Sequence, residues 1–187
     1  MTQAGYVLTG GRSSRFGSDK ARFEIDGRPL AWVTAEKVCQ AAGSVALVGA
    51  PERYADWDLR LIADPREDFG PVAGIVAALE DSHADWNLIV AVDMVGVTVE
   101  FLRFLLEGAD ADVVMPVQPD GRDQPLCCAY RTDVAGALRA RMDAGIGRVT
   151  DALEAVRVRR VLPEEYARFG GAELFENLNR PGQAAAS

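Results

Sequence analysis

The 187-residue sequence contains a single histidine and only three cysteines, Cys39, Cys127 and Cys128. An odd number of cysteines, two of them adjacent, matches neither a disulfide framework nor a zinc-binding pattern. Basic residues are fewer than acidic ones, 20 against 28, and the formal net charge is -8. Since nucleic acids and anionic membranes need a spread of lysine and arginine, we expect neither as a partner.

The sequence also lacks any apolar run of membrane-spanning length, and its first residues lack the features of a signal peptide. We therefore expect a cytoplasmic protein in a reducing compartment. Apolar residues make up 49% and charged residues 26%, which is typical of a globular protein. The length predicts one domain over residues 1–187, with a disordered tail at about 181–187.

Short apolar runs alternate with longer amphipathic runs along most of the chain. This alternation predicts an α/β fold with a doubly wound, mainly parallel sheet and helices on both faces, as in Rossmann-like proteins. Strands are predicted at 4–9, 23–25, 45–48, 59–63, 88–92, 113–116, 126–130 (antiparallel or mixed) and 156–162, and helices at 30–42, 72–79, 98–106, 133–142 and 149–155. Gly10, Asp64 and Asp93 follow predicted strands directly, and ligands bind at that edge of such a sheet, so these three residues should share one crevice.

The loop after the first strand, residues 8–21 (LTGGRSSRFGSDKA), combines glycines, serines and cations. Glycine exposes backbone N–H groups, the hydroxyls of Ser13 and Ser14 add donors, and Arg15 and Lys20 supply positive charge, as a triphosphate requires. The spacing matches neither G-x-x-x-x-G-K-[ST] nor G-x-G-x-x-G, which excludes the ATPase phosphate loop and the dinucleotide fingerprint. The pattern predicts a phosphate cradle of another kind.

Two aspartates carry the remaining site predictions. Asp93 ends an apolar strand, and a hard carboxylate ligand at a sheet edge suits Mg²⁺, although a capping aspartate would look the same. Asp64 also follows a strand, but it precedes Pro65, and Asp-Pro commonly opens a turn.

The loop resembles the signature of the MobA-type molybdenum cofactor guanylyltransferases, which belong to a wider family of nucleotidyltransferases with a doubly wound sheet. Further blocks are similar to that family in the same order: DFGPVAGIVAAL (68–79), VAVDM (90–94), DQPLCCAY (123–130) and FENLNRPG (175–182). The Gly10-Gly11 and Asp19-Lys20 pairs and the closing Asn-x-Asn favour the guanylyl members over the cytidylyl ones.

The resemblance implies a reaction and its ligands. The terminal phosphate of molybdopterin would attack the α-phosphate of GTP, release pyrophosphate and form molybdopterin guanine dinucleotide. GTP, molybdopterin and Mg²⁺ are the expected ligands, and a molybdoenzyme or another protein of cofactor biosynthesis is an expected partner. No general base is required, because the attacking phosphate is already anionic near neutral pH.

The resemblance also assigns roles to individual residues. The segment Leu8, Thr9 and Gly10 would frame guanine with main-chain groups, next to Gly11. Lys20 would contact the phosphates, with Arg15 close to them, and both are the expected catalytic residues. Asp93 would hold the metal, and Asp64 would contact base, ribose or metal. The acceptor would meet Arg148, Asn177 and Asn179, whereas Arg12 would face either the pterin phosphate or solvent.

The chain departs from the family pattern at several positions. Val95-Gly96 replaces the proline two residues after the metal aspartate, Val48-Gly49-Ala50 lacks the asparagine after the second strand, Gln124 replaces a histidine, and Arg180 replaces a threonine. Two alternatives therefore stay open. One is a CTP- or sugar-phosphate-specific nucleotidyltransferase of the same fold, and the other is a non-catalytic protein that binds or delivers the cofactor.

Overall fold

The computed structural model describes residues 1–10, 19–66, 69–108 and 110–176. The tail predicted at 181–187 lies outside these ranges. Within them, no helix is both long enough and apolar enough to cross a membrane.

The part of the chain that the structure describes forms a seven-stranded sheet and a separate two-stranded hairpin. The strands are β1 (Gln3–Leu8), β2 (Glu24–Ile25), β3 (Arg28–Pro29), β4 (Ala46–Gly49), β5 (Arg60–Ala63), β6 (Trp86–Ala91), β7 (Val113–Pro116), β8 (Cys127–Arg131) and β9 (Val158–Val161). Strands β2 and β3 form the hairpin, and the order in the large sheet is β5-β4-β1-β6-β8-β7-β9. Strand β8 is antiparallel to both neighbours, and all other neighbouring strands are parallel.

Helices cover both faces of the large sheet. They are α1 (Leu30–Ala42), α2 (Pro71–Asp81), α3 (Val99–Leu106), α4 (Ala135–Asp143), α5 (Val149–Ala152) and α6 (Pro163–Tyr166). Successive residues of β1 point to opposite faces: Val7 packs in the core beneath α1 and α3, whereas Tyr6 and Leu8 pack beneath α2 and α4. This arrangement confirms the predicted doubly wound fold.

The local sequence accounts for most of these elements. All six residues of β6 are buried, as expected for a central strand covered on both faces, and five of the six are apolar. Thr98 caps α3, because its side chain accepts a hydrogen bond from the Phe101 N–H at 3.3 Å. The predicted strands differ from the observed ones by at most two residues at either end, and β3 was not predicted as a strand. Helix α6 was not predicted, and the helix predicted at 149–155 continues beyond Ala152 as a 3₁₀ turn.

Candidate functional site

A cavity of about 300 Å³ opens where the parallel strands β1, β4, β5 and β6 end. Its walls also include the first turn of α2 and the start of a 3₁₀ turn that spans Lys20–Arg22. The described lining residues are Leu8, Thr9, Gly10, Asp19, Lys20, Val48, Arg53, Asp64, Gly70, Pro71, Gly74, Ala91, Val92, Asp93 and Leu126. The volume falls at the lower end of the range for small-molecule sites.

The structure brings six of the predicted site residues together in this cavity, namely Leu8, Thr9, Gly10, Lys20, Asp64 and Asp93. Gly11, Arg12, Arg15, Asn177, Asn179 and Arg180 lie outside the described residues. The cavity occupies the carboxyl edge of the parallel strands, where the fold class places ligands.

Two main-chain groups of residues 8–10 already have partners in the sheet. The Thr9 N–H already donates to the Val48 carbonyl at 2.9 Å, which continues the pairing of β1 with β4 by one residue. The Leu8 carbonyl accepts from the Val92 N–H at 3.0 Å, but a carbonyl oxygen has two lone pairs and can accept again. The Leu8 carbonyl can therefore accept from a ligand, whereas the Thr9 N–H is already used.

Thr9 fits beside Gly49 through a close approach. The Thr9 hydroxyl donates to the Val48 carbonyl at 3.0 Å, and a Cβ atom added to Gly49 would lie 2.3 Å from that hydroxyl oxygen. The Gly49 carbonyl in turn accepts from the Asp64 N–H at 2.8 Å. The absence of a side chain at residue 49 thus lets the ends of three strands meet with threonine at position 9.

Lys20 and Asp93 face each other across the cavity. Lys20 Nζ lies 2.7 Å from Asp93 Oδ2, and the two side chains are 18% and 24% exposed. Lys20 begins its 3₁₀ turn, and the turn is capped by Asp19, whose Oδ1 accepts from the Ala21 N–H at 3.0 Å. The cap fixes where the Lys20 side chain leaves the backbone.

Helix α1 holds the backbone on both sides of Asp93. The buried Thr34 hydroxyl donates to the Val92 carbonyl at 2.9 Å, and Lys37 Nζ donates to the Val95 carbonyl at 2.7 Å. Burial lowers the pKa of Lys37. The loop that lacks the family's proline at residue 95 is thus restrained by side chains from a neighbouring helix instead.

Asp64 is half-buried at the end of β5. Burial raises the pKa of the Asp64 carboxyl, and the hydrogen bond that Oδ1 accepts from the Arg66 N–H at 2.9 Å opposes that rise. Its Oδ2 lies 3.7 Å from the position that a Cβ atom on Gly74 of α2 would take. The carboxylate therefore faces the cavity between β1 and α2, with few groups to compensate for its burial.

Arg148, the predicted acceptor residue, lies beside the rim of the cavity and does not line it. It is exposed and directly precedes α5. Its neighbour Gly147 packs against the cavity residue Gly70, where a Cβ atom would lie 3.1 Å from the Gly147 carbonyl oxygen. Gly70 has φ +113°, a conformation that favours glycine, and it starts α2 at the cavity wall.

Sequence reasoning missed Arg53, which ends the 3₁₀ turn Pro51–Arg53 after β4 and lines the cavity. Its guanidinium has no ion-pair partner among the described residues. The signal available was an arginine shortly after a predicted parallel strand, on the same sheet edge as Asp64. The missing family asparagine drew attention to this loop without indicating which residue replaces it.

No group of three or more histidine, cysteine or acidic side chains in the described ranges could hold a metal ion by itself. Asp93 offers one carboxylate. An ion held there would take its remaining ligands from phosphate oxygens and water, which is the usual coordination of Mg²⁺ in phosphoryl-transfer sites.

Comparison with known proteins agrees with this geometry. The family described as MobA-like NTP transferase domain matches residues 5–158. A protein of Deinococcus radiodurans named probable molybdenum cofactor guanylyltransferase is 32% identical over 181 residues, which cover 96% of this chain and 90% of that protein. A protein of the same name from Chloroflexus aggregans is 30% identical and covers 97% and 91%.

Among solved structures, molybdopterin-guanine dinucleotide biosynthesis protein A from Archaeoglobus fulgidus superposes with a TM-score of 0.80 at 26% identity. The superposition covers 97% of this chain and 95% of that one. The likeness therefore extends over the whole described fold, including both sides of the cavity.

Proposed function

The chain belongs to the MobA-like NTP transferase family, and from this premise we propose that it transfers GMP from GTP to molybdenum-molybdopterin, releasing pyrophosphate and forming molybdopterin guanine dinucleotide. The observation that carries the proposal is the meeting of Lys20 and Asp93 across the strand-end cavity. Near full-length similarity to proteins named for guanylyl transfer supports the choice of donor and acceptor.

The acceptor groups of residues 8–10 support guanine as the base. Guanine presents N–H groups on its Watson–Crick edge, whereas the corresponding edge of adenine has a ring acceptor. The Thr9 N–H is already used by Val48, whereas the Leu8 carbonyl could accept from an N–H group of the base. The half-buried Asp64 carboxylate adds a further acceptor within the same wall.

Lys20 and Asp93 would serve the phosphate end. Lys20 would neutralise negative charge that develops during transfer, together with Arg15 from the preceding loop. Asp93 would hold Mg²⁺, which when bound stabilises charge on the phosphate oxygens. The Lys20–Asp93 ion pair would give way as the triphosphate arrives, because each side chain then gains a partner of higher charge.

The acceptor would approach from the rim near Gly70 and Arg148, where the start of α2 packs against the residues before α5. We assign Arg148, Asn177 and Asn179 to this side on the family resemblance. We also propose the cytoplasm as the site of action, and a molybdoenzyme or another protein of cofactor biosynthesis as the partner that exchanges the cofactor.

The proposal is tested by incubating the purified protein with Mg²⁺, molybdenum-loaded molybdopterin and GTP, CTP or ATP in parallel. Of the three nucleotides, only GTP is expected to give pyrophosphate and a guanylylated pterin. Asp93→Asn should reduce that rate by at least about a hundredfold. Product from CTP would favour the cytidylyl alternative. Tight binding of GTP and pterin with no pyrophosphate release would favour a delivery protein.

A further inference from the structure

Tyr54 connects the loop after β4 to the turn that carries Lys20. The side chain is buried, and its hydroxyl donates to Asp19 Oδ1 at 3.1 Å. The same Asp19 oxygen caps the 3₁₀ turn by accepting from the Ala21 N–H. The buried phenol therefore contacts the carboxylate that caps the turn carrying Lys20.

The other end of the turn is fixed by Arg22. Its guanidinium lies over the Trp57 ring at 4.9 Å from the centroid, and it donates to the Asp56 carboxylate and to the Arg53 carbonyl. Trp57 in turn stacks on Tyr54, with centroids 4.9 Å apart and planes inclined by 27°. The segment from residue 53 to residue 57 thus contacts both ends of the turn, at Asp19 before Lys20 and at Arg22 after it.

From these contacts we infer that Tyr54 is a positioning residue for triphosphate binding, which directs Lys20 into the cavity and keeps the Asp19 carboxylate turned away from the phosphates. The inference rests on the proposed function, since it gives Lys20 a phosphate to bind. Asp19 lines the cavity and carries a negative charge next to Lys20. If released, it would repel the triphosphate that Lys20 attracts.

The state of the phenol suits this role. Burial raises the pKa of Tyr54 to about 12, so the hydroxyl keeps its proton and remains a donor to Asp19 at neutral pH. Tyr54→Phe would keep the ring stacked on Trp57 and remove only the donor. Tyr166→Phe is a matched control, because Tyr166 is also buried and donates to the Val117 carbonyl at 2.7 Å.

The test compares binding of a triphosphate with binding of its nucleoside, by calorimetry on the full-length protein. Tyr54→Phe should weaken GTP binding about tenfold, the effect of one lost hydrogen bond to a charged group, and leave guanosine binding unchanged. Tyr166→Phe should alter neither affinity. In a Lys20→Ala background Tyr54→Phe should have a smaller effect, because only the repulsion by Asp19 then remains. Asp19→Asn should restore part of the loss, since an amide still caps the turn without repelling phosphate.

The inference is overturned if Tyr54→Phe weakens the binding of GTP and of guanosine equally, or if Tyr166→Phe has the same effect as Tyr54→Phe. It is also overturned if the losses of GTP affinity caused by Tyr54→Phe and Lys20→Ala are additive. Failure of the proposed function gives a different result. If another triphosphate binds more tightly than GTP, the same comparison made with that nucleotide and its nucleoside still decides the role of Tyr54. If the wild-type protein binds no triphosphate at all, both proposals fall.

Discussion

Lys20 and Asp93, 73 positions apart in the sequence, neutralise each other across the cavity at 2.7 Å. Both side chains are mostly buried, so the pair is screened less by solvent than a surface ion pair would be. Each residue occupies the place that the other's ligand would approach. The side chains proposed to bind phosphate and metal therefore satisfy each other's charge in this structure.

Lys20→Met should change two affinities in opposite directions. The variant loses a charged partner for phosphate, so GTP should bind at least about tenfold more weakly. It also frees Asp93 and removes a repelling cation, so Mn²⁺ should bind several-fold more tightly without nucleotide. Calorimetry measures both affinities. Arg139→Met, which removes one positive charge from a surface pair with Glu80, is the control and should change neither. A decrease in both affinities for Lys20→Met would contradict the expectation.

The two contacts from α1 to the Asp93 loop should differ in what they affect, the Lys37 contact mainly the Mg²⁺ requirement and the Thr34 contact mainly the free energy of unfolding. Lys37→Met keeps the apolar stem but loses the bond to the Val95 carbonyl, so half-maximal activity should require several-fold more Mg²⁺, with little change in Tm. Lys37→Arg retains a donor and should behave more like the wild type. Thr34→Val removes a buried donor from the Val92 carbonyl and should cost about 1–3 kcal/mol of folding free energy. An unchanged Mg²⁺ requirement in Lys37→Met would show that the loop does not need this contact.

The Asp64 carboxylate should lower the free energy of unfolding at neutral pH. Burial raises the pKa of its carboxyl in the folded protein, so the folded state binds more protons than the unfolded state between the model-peptide value of 3.8 and the raised pKa. The free energy of unfolding attributable to Asp64 therefore falls as pH rises through that window. Asp64→Asn can still accept from the Arg66 N–H and should raise Tm at pH 7, lose this part of the pH dependence and bind GTP more weakly. Thermal unfolding between pH 4 and 7 tests the sign, and a lower Tm at pH 7 would refute it.

Thr9 and Gly49 should be energetically coupled. Gly49→Ala places a methyl group against the Thr9 hydroxyl and should cost about 1–3 kcal/mol, the usual range for overpacking. Thr9→Ala removes that hydroxyl, so the double variant should be more stable than the sum of the single effects predicts. Denaturant unfolding of the four proteins gives the coupling energy directly. Additive effects would mean that the strand ends move apart to accommodate the methyl group.

Much of the fold follows from local pattern. Helix α1 was predicted with its observed bounds because Pro29 precedes a long amphipathic run that ends at Gly43. The strand-end position of Asp64 and Asp93 could be predicted because the strands before them end in short apolar runs with clear boundaries. The place of β8 between β6 and β7 was not predictable in the same way, since strand order depends on packing between distant segments.

The supports of the site were harder to predict than its cavity-facing residues. Lys37 looks like a solvent-facing cation in the pattern of α1, and only the register of α1 against β6 brings it to Val95. Tyr54 reads as a packing residue after a loop, and its link to Asp19 spans 35 positions without any periodic signal. The position of Arg53 in the cavity wall depends on the conformation of the same loop. Such contacts are consequences of tertiary structure and have no local signature.

The reversed strand β8 divides the large sheet into unequal parts. The strands whose ends form the cavity, β5, β4, β1 and β6, lie on one side of it, and β7 and β9 lie on the other. Substitutions in β7 and β9 therefore fall outside the four strands whose ends line the cavity. Under the proposed function, the recipient of the transferred group could therefore change in evolution while the proposed nucleotide site is retained.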